Sequence, residues 1–254
     1  MADKTDWAFP AELQPTQGEF GFDLQEVFDA MVLIRAEVPD DAFTAQNLGT
    51  ERAGNGVVIR EGGIVLTIGY LITEANAIWI TTNQGVVVPG YALAYDQASG
   101  LGLVQALGRL KAPALERGSA RDCDVGDDVL VAGHGGRAHS LKAKVTGKRE
   151  FAGSWEYLLD QAIFTAPAHP QWGGSALVGA EGKLLGIGSL LVQESEKGGK
   201  DAVQGNMMVP IDLLEPIYED LLTLGRPKGA GRPWLGLFAN EVSGRLLEIG
   251  RAHV

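Results

Sequence analysis

One cysteine, Cys123, stands in 254 residues, which excludes an intrachain disulfide and any cysteine-rich zinc site. Positive charge is also short. The 21 Lys and Arg are outnumbered by 32 Asp and Glu, for a formal charge of -11, so the field of the molecule repels nucleic acid and anionic membrane. No stretch approaches the roughly 20 apolar residues of a membrane helix, and Met1 to Pro10 has no apolar core of signal-peptide length. The expectation is a cytoplasmic chain with neither a membrane nor a nucleic acid as partner. Histidines are few, and His134 and His139 do not have the i, i+4 spacing of a helical zinc pair; Gly133-His-Gly-Gly136 is a turn signal and not a phosphate-cradling loop. No metal and no cofactor are expected.

What is plentiful is glycine, 35 residues, roughly twice the usual share, which favours tight turns over long helices. A 45% hydrophobic content suffices for one large core or two small ones. Residues 1–21 are polar, with Pro10 and Pro15 and the aromatics Trp7, Phe9 and Phe20, and read as a flexible arm. Apolar residues recur at helical spacing from Asp23 to Arg35, leading into a strand at Met31 to Glu37, and 38–54 reads as loop. Short strands follow at Val57 to Arg60, Ile64 to Thr67, Ala77 to Thr81, Val86 to Ala94 and Leu101 to Ala106. A second set spans Val129 to Ala132, Leu141 to Gly147, Tyr157 to Thr165, Ser175 to Val178, Leu184 to Val192 and Asn206 to Pro210. Strands this short and this closely spaced predict barrels or sandwiches, an all-β class. Gln193 to Asp201 is a charged surface loop. Ile211 to Leu224 is an amphipathic helix whose start Pro216 delays, and Gly225 ends it. Residues 227–233 have linker composition, and Trp234 to Phe238 begins a strand with little after it to pair with.

Three segments carry a resemblance. Gly54-Asn-Gly-Val-Val-Ile-Arg-Glu-Gly-Gly-Ile-Val-Leu-Thr67 is followed by Ile68-Gly-Tyr-Leu-Ile72; Gly100-Leu-Gly-Leu-Val104 comes next; then Pro170-Gln-Trp-Gly-Gly-Ser-Ala-Leu-Val178. Together they are similar to the runs around the triad of trypsin-like serine proteases, in particular the HtrA branch, over roughly residues 22–237. The resemblance implies a trypsin-like double β-barrel of two six-stranded Greek-key barrels with a C-terminal helix, occupying 22–226 and split near 108–125. It also implies that 234–247 opens a truncated PDZ domain. Glu248 to Val254 is what a common sequencing adapter encodes, so 248–254 reads as an artefact and His253 enters no site.

Laid on those runs without a gap, Tyr70 stands at the general base, Gly100 at the acid and Gly173 at the nucleophile. A phenol titrating near ~10 is a poor proton acceptor at neutral pH, and the two glycines offer neither carboxylate nor hydroxyl. The expectation is a homologue without catalytic residues, binding an extended peptide or unfolded polypeptide along Gln171, Trp172, Gly174, Gly186, Ile187, Gly188, Ser189 and Leu190. Trp172 either fills the site, forms a flat contact surface, or tucks into the barrel interface. Two other readings stay open: an active serine endopeptidase using a displaced Ser175 with His169 or Tyr70, and a structural module assembled through the aromatic arm, for which the resemblance implies a homotrimer.

Overall fold

The computed structural model describes residues 7–153, 158–195, 202–229, 237–242 and 245–251. A short helix α1 (Leu24–Ala30) is capped by the Asp23 side chain, which accepts from the Gln25 N–H, and gives way at once to β1 (Met31–Glu37). After a one-turn helix α2 (Ala45–Leu48) come β2 (Glu51–Arg60), β3 (Ile64–Ile68), β4 (Ala77–Thr82), β5 (Val87–Tyr95) and β6 (Leu101–Ala106). These six close into a barrel in the order β1-β2-β3-β6-β5-β4. The chain crosses over 107–127 and builds a second closed barrel from β7 (Asp128–Ala132), β8 (Ser140–Phe151), β9 (Leu159–Ala166), β10 (Ala176–Val178), β11 (Leu184–Ser195) and β12 (Ala202–Pro210), ordered β10-β11-β12-β9-β8-β7. Closure removes sheet edges, and alternation fills each interior: β1 buries Val32, Ile34 and Ala36 and exposes Arg35 and Glu37. The double barrel expected from the resemblance is the architecture of the chain.

Several local expectations are corrected. The 38–54 loop contains α2, and β2 starts at Glu51 because Glu51, Arg52 and Ala53 pair with Glu37, Ala36 and Arg35. The helix over 211–224 is two 3-10 turns, Ile211–Leu213 and Glu215–Ile217, and then α3 (Tyr218–Leu224), since Pro216 lacks the N–H that a continuous helix would use. Gly225, at φ +70, closes α3 as its left-handed cap. The strand begun near Trp234 does find a partner: β13 (Leu237–Val242) pairs with β14 (Arg245–Arg251), which runs across the suspected adapter boundary. Trp234 itself, the 196–201 part of the charged loop and His253 lie outside the described residues.

The N-terminal arm differs most from its expectation. Over residues 7–20 it is packed onto the second barrel. Phe9 is buried in one apolar cluster with Ala120, Cys123, Val129 and Val131, and Trp7 and Leu13 pack against that cluster. Backbone bonds pin it to the second barrel, Phe9 N to Ala138 O at 2.9 Å and Lys142 N to Leu13 O at 2.9 Å, and Lys142 reaches Glu19 at 2.7 Å. A mostly polar stretch hides two large apolar anchors, and these decide its place.

Candidate functional site

The cleft between the barrels is built from three turns. At the end of β3 a 3-10 turn, Gly69–Leu71, presents Tyr70; the Gly69 N–H donates to the Gly100 carbonyl at 2.7 Å, which brings the turn before β6 alongside. The Tyr70 hydroxyl crosses to the second barrel and donates to the Ser189 carbonyl at 2.8 Å. A Cβ placed on Gly173 would lie 2.9 Å from that hydroxyl. Tyr70, Gly100 and Gly173, far apart in sequence, are thus gathered at one place. The surrounding cleft has a volume of about 570 Å³ and is lined by residues that include Trp7, Leu33, Tyr70, Leu71, Pro170 and Trp172, with Arg35 and Glu51 also on its walls.

The loop carrying Gly173 is held from the first barrel by Asn55, a residue that sequence reading passed over. Buried on β2, Asn55 donates its backbone N–H to Gly173 O at 2.8 Å and its amide Nδ2 to Gln171 O at 2.7 Å; its Oδ1 accepts from His134 N at 2.8 Å, and its own carbonyl accepts from the Thr67 hydroxyl at 2.7 Å. One side chain therefore ties two loops of the second barrel to the first. The signal was present as a polar residue inside the apolar run Gly54 to Thr67, where a buried amide has to be satisfied. Gly174, at φ +75, follows, and a Cβ there would meet Asn55 O at 1.8 Å, so only glycine fits. Asn55→Ala is expected to cost about 2–3 kcal/mol, because it strands the His134 N–H and the Gln171 carbonyl. Urea unfolding checks it: the midpoint falls while the slope is unchanged.

His169 and Ser175 are both fully buried, and neither faces the cleft as a reactive pair. The His169 Nε2 lies 2.8 Å from the His139 carbonyl and so carries the proton; Nδ1 accepts from the Gln171 N–H at 3.1 Å. Its backbone is clamped to Asn206, which takes the His169 N–H at 2.6 Å and returns its amide to the His169 carbonyl at 3.2 Å. Burial, the largest cause, pulls the imidazole down to about 4, so it is neutral at physiological pH with both ring nitrogens engaged. The Ser175 hydroxyl donates to Trp172 O at 2.8 Å, the acceptor that its own N–H also uses at 3.0 Å.

Two features expected of a peptide groove are corrected by the pairing. Gly186 and Ile187 are hydrogen-bonded into β10 on one side and β12 on the other, and Gly188 exchanges bonds with Gly174 and Ser175, so β11 has no open edge there. Ser189 sits at the bulge between Gly188 and Leu190 with its carbonyl accepting from Tyr70; among the described residues, the stretch of β11 with only β12 as a strand partner starts at Leu190. Gln171, expected in the same groove, is likewise altered, since its backbone N–H points at His169 and not into the cleft.

A buried arginine supports the Tyr70 turn from behind. Arg52 donates to Tyr70 O at 2.8 Å, Thr73 O at 3.0 Å and Gly49 O at 3.1 Å, and to the Thr44 hydroxyl at 2.7 Å; Thr44 in turn bonds Glu74. Among the described residues no group of three or more His, Cys, Asp or Glu is placed to hold a metal, and no helix is long and apolar enough to cross a membrane.

Comparison with known proteins agrees with this geometry. The model of the trypsin-like peptidase domain matches residues 54–187, more than half of the chain. A probable periplasmic serine endoprotease DegP-like from Pseudomonas fluorescens is 26% identical over 89% of this chain and 45% of its own length. Serine protease PepD of Mycobacterium tuberculosis is 23% identical over 76% and 46%, and serine endoprotease DegS of Haemophilus influenzae 25% over 70% and 53%. The chain spans about half the length of these relatives. The solved structure of HtrA-type protease AlgW with tripeptide shares the fold, with a TM-score of 0.64 at 17% identity over 91% of this chain and 75% of that one. This chain belongs to the trypsin-like peptidase domain family, and its likenesses fall on the HtrA side of that family.

Proposed function

We propose that this protein is a non-catalytic member of its family that holds extended polypeptide without cutting it. The observation carrying the reading is the position of the Tyr70 hydroxyl, 2.9 Å from where a side chain on Gly173 would begin, and bonded instead to the Ser189 carbonyl. Acyl transfer needs a hydroxyl or thiol, a neighbouring base, and donors for the developing oxyanion. Here the nucleophile position is a glycine, the base position is a phenol already donating its proton to a carbonyl, the acid position is a glycine, and one backbone donor is turned onto a buried imidazole.

The peptide-holding part of the proposal draws on the fold shared with a protease solved with a tripeptide and on the strand edge that opens from Leu190. The rival endopeptidase reading is disfavoured by the buried Ser175 hydroxyl and the fully engaged His169 ring. Assembly through the arm is disfavoured by the packing of Phe9 into the same chain's second barrel. The test is casein digestion by purified protein together with labelling by a fluorophosphonate probe. The expected result is background on both; hydrolysis or labelling lost on Ser175→Ala would overturn the reading.

A further inference from the structure

Four polar groups at the floor of the inter-barrel cleft are already bonded within the protein. The Tyr70 hydroxyl is bonded to Ser189, the Gln171 N–H to His169, and the carbonyls of Gln171 and Gly173 accept from Asn55. The ring and hydrocarbon walls of the space of about 570 Å³ are Trp7, Tyr70, Trp172, Leu33, Leu71 and Pro170, with His134, His139 and Gln171 also on its lining. Arg35 and Glu51, one charge of each sign, are also on the walls, so together they add no net charge to the lining.

Two of the walls are held by neighbouring groups. Trp7 stacks on His139 with centroids 4.7 Å apart and planes 6° from parallel, and meets Phe9 and His169 edge-on at 5.1 and 5.7 Å. The Trp172 backbone is fixed because its carbonyl takes both Ser175 bonds while Asn55 holds the carbonyls on either side. A wall fixed before the ligand arrives spends little ordering entropy on binding.

We infer that the cleft is a side-chain pocket selective for one bulky apolar residue of a bound peptide, aromatic in preference to small or cationic, with Trp7 and Trp172 as the specificity-determining residues. The inference rests on the peptide-holding reading for its natural ligand. It converts the place where a protease performs chemistry into the place where this chain reads sequence. Aromatic side chains in such a slot add stacking to area burial, while a lysine would leave its hydration shell for a pocket whose one carboxylate, Glu51, is accompanied by Arg35.

The test uses labelled nonapeptides identical but for a central Phe, Gly or Lys, read by fluorescence anisotropy, and N-acetylphenylalanine amide as an unlabelled competitor read also by tryptophan emission. The Phe peptide is expected to bind at least about ten-fold tighter than the other two. Trp172→Ala should bring it to the level of the Gly peptide without changing the latter, and Trp172→Leu, which keeps apolar volume, should give an intermediate value. Equal binding of all three peptides overturns this inference alone, and a preference for Lys replaces the apolar pocket by a cation site. If no peptide binds but the amide still alters tryptophan emission, the pocket stands and the peptide-holding reading falls; silence from both overturns both.

Discussion

Gly173→Ser, introduced alone, is expected to give no casein hydrolysis and no fluorophosphonate labelling, and adding Tyr70→His to it is expected to give none either. On the proposed reading four features oppose the chemistry, and repairing one leaves others in place. A serine at 173 brings its Cβ to 2.9 Å from the Tyr70 hydroxyl, so the hydroxyl that should attack meets a phenol committed to Ser189. Replacing Tyr70 by histidine removes that collision but leaves the imidazole without an orienting carboxylate. Gly100 is at φ +79, a backbone conformation that an aspartate adopts only with strain, so the acid is not restored by a side-chain exchange alone. The Gln171 N–H, which the proposed reading counts among the missing oxyanion donors, stays on the His169 ring. Triad members act as a unit, and losing the nucleophile or base alone costs about 10⁶-fold, so partial repair yields nothing measurable. Burst labelling of the Gly173→Ser variant by the probe would show that the site is closer to competence than this geometry allows.

That geometry was only half legible in the chain. The fold was readable because its signals are local and repeated: strands of three to twelve residues, glycine turns between them, and three family-like runs whose register fixes their partners. The reading of Tyr70, Gly100 and Gly173 as the triad positions, on which the proposed function rests, is likewise a matter of which residue stands at which place in a run. What could not be read was where hydrogen bonds go. Asn55 and Asn206 each join segments more than thirty residues apart, His169 spends both ring nitrogens on backbone groups, and Tyr70 finds an acceptor 119 residues away. Such partners follow from the closure of two barrels against each other and leave no periodic trace. The arm failed for a different reason: its polar majority outweighed Trp7 and Phe9 in composition but not in buried area.

His169 makes the stability of the protein depend on pH in a window set by its own titration. In the unfolded chain its imidazole titrates near 6.5; in the folded chain burial holds it to about 4. As the pH falls below 6.5 the unfolded state takes up a proton that the folded state refuses until about pH 4, so folding becomes less favourable across that interval. The contribution is complete above the unfolded value and lost on acidification, and the separation between the two values corresponds to roughly 3 kcal/mol. Burial depresses His134 as well, which adds in the same direction. The measurement is urea unfolding at pH 7.5, 6.5, 5.5 and 4.5 for the natural protein and for His169→Gln. Glutamine keeps a donor for the His139 carbonyl and carries no titrating group, so its stability is expected to vary less over this range. Parallel pH profiles for the two proteins would show that His169 is not the group responsible. Protonation has a second consequence at the cleft: once Nδ1 bears a proton it no longer accepts the Gln171 N–H, and the one backbone donor turned inward at neutral pH is released from its partner.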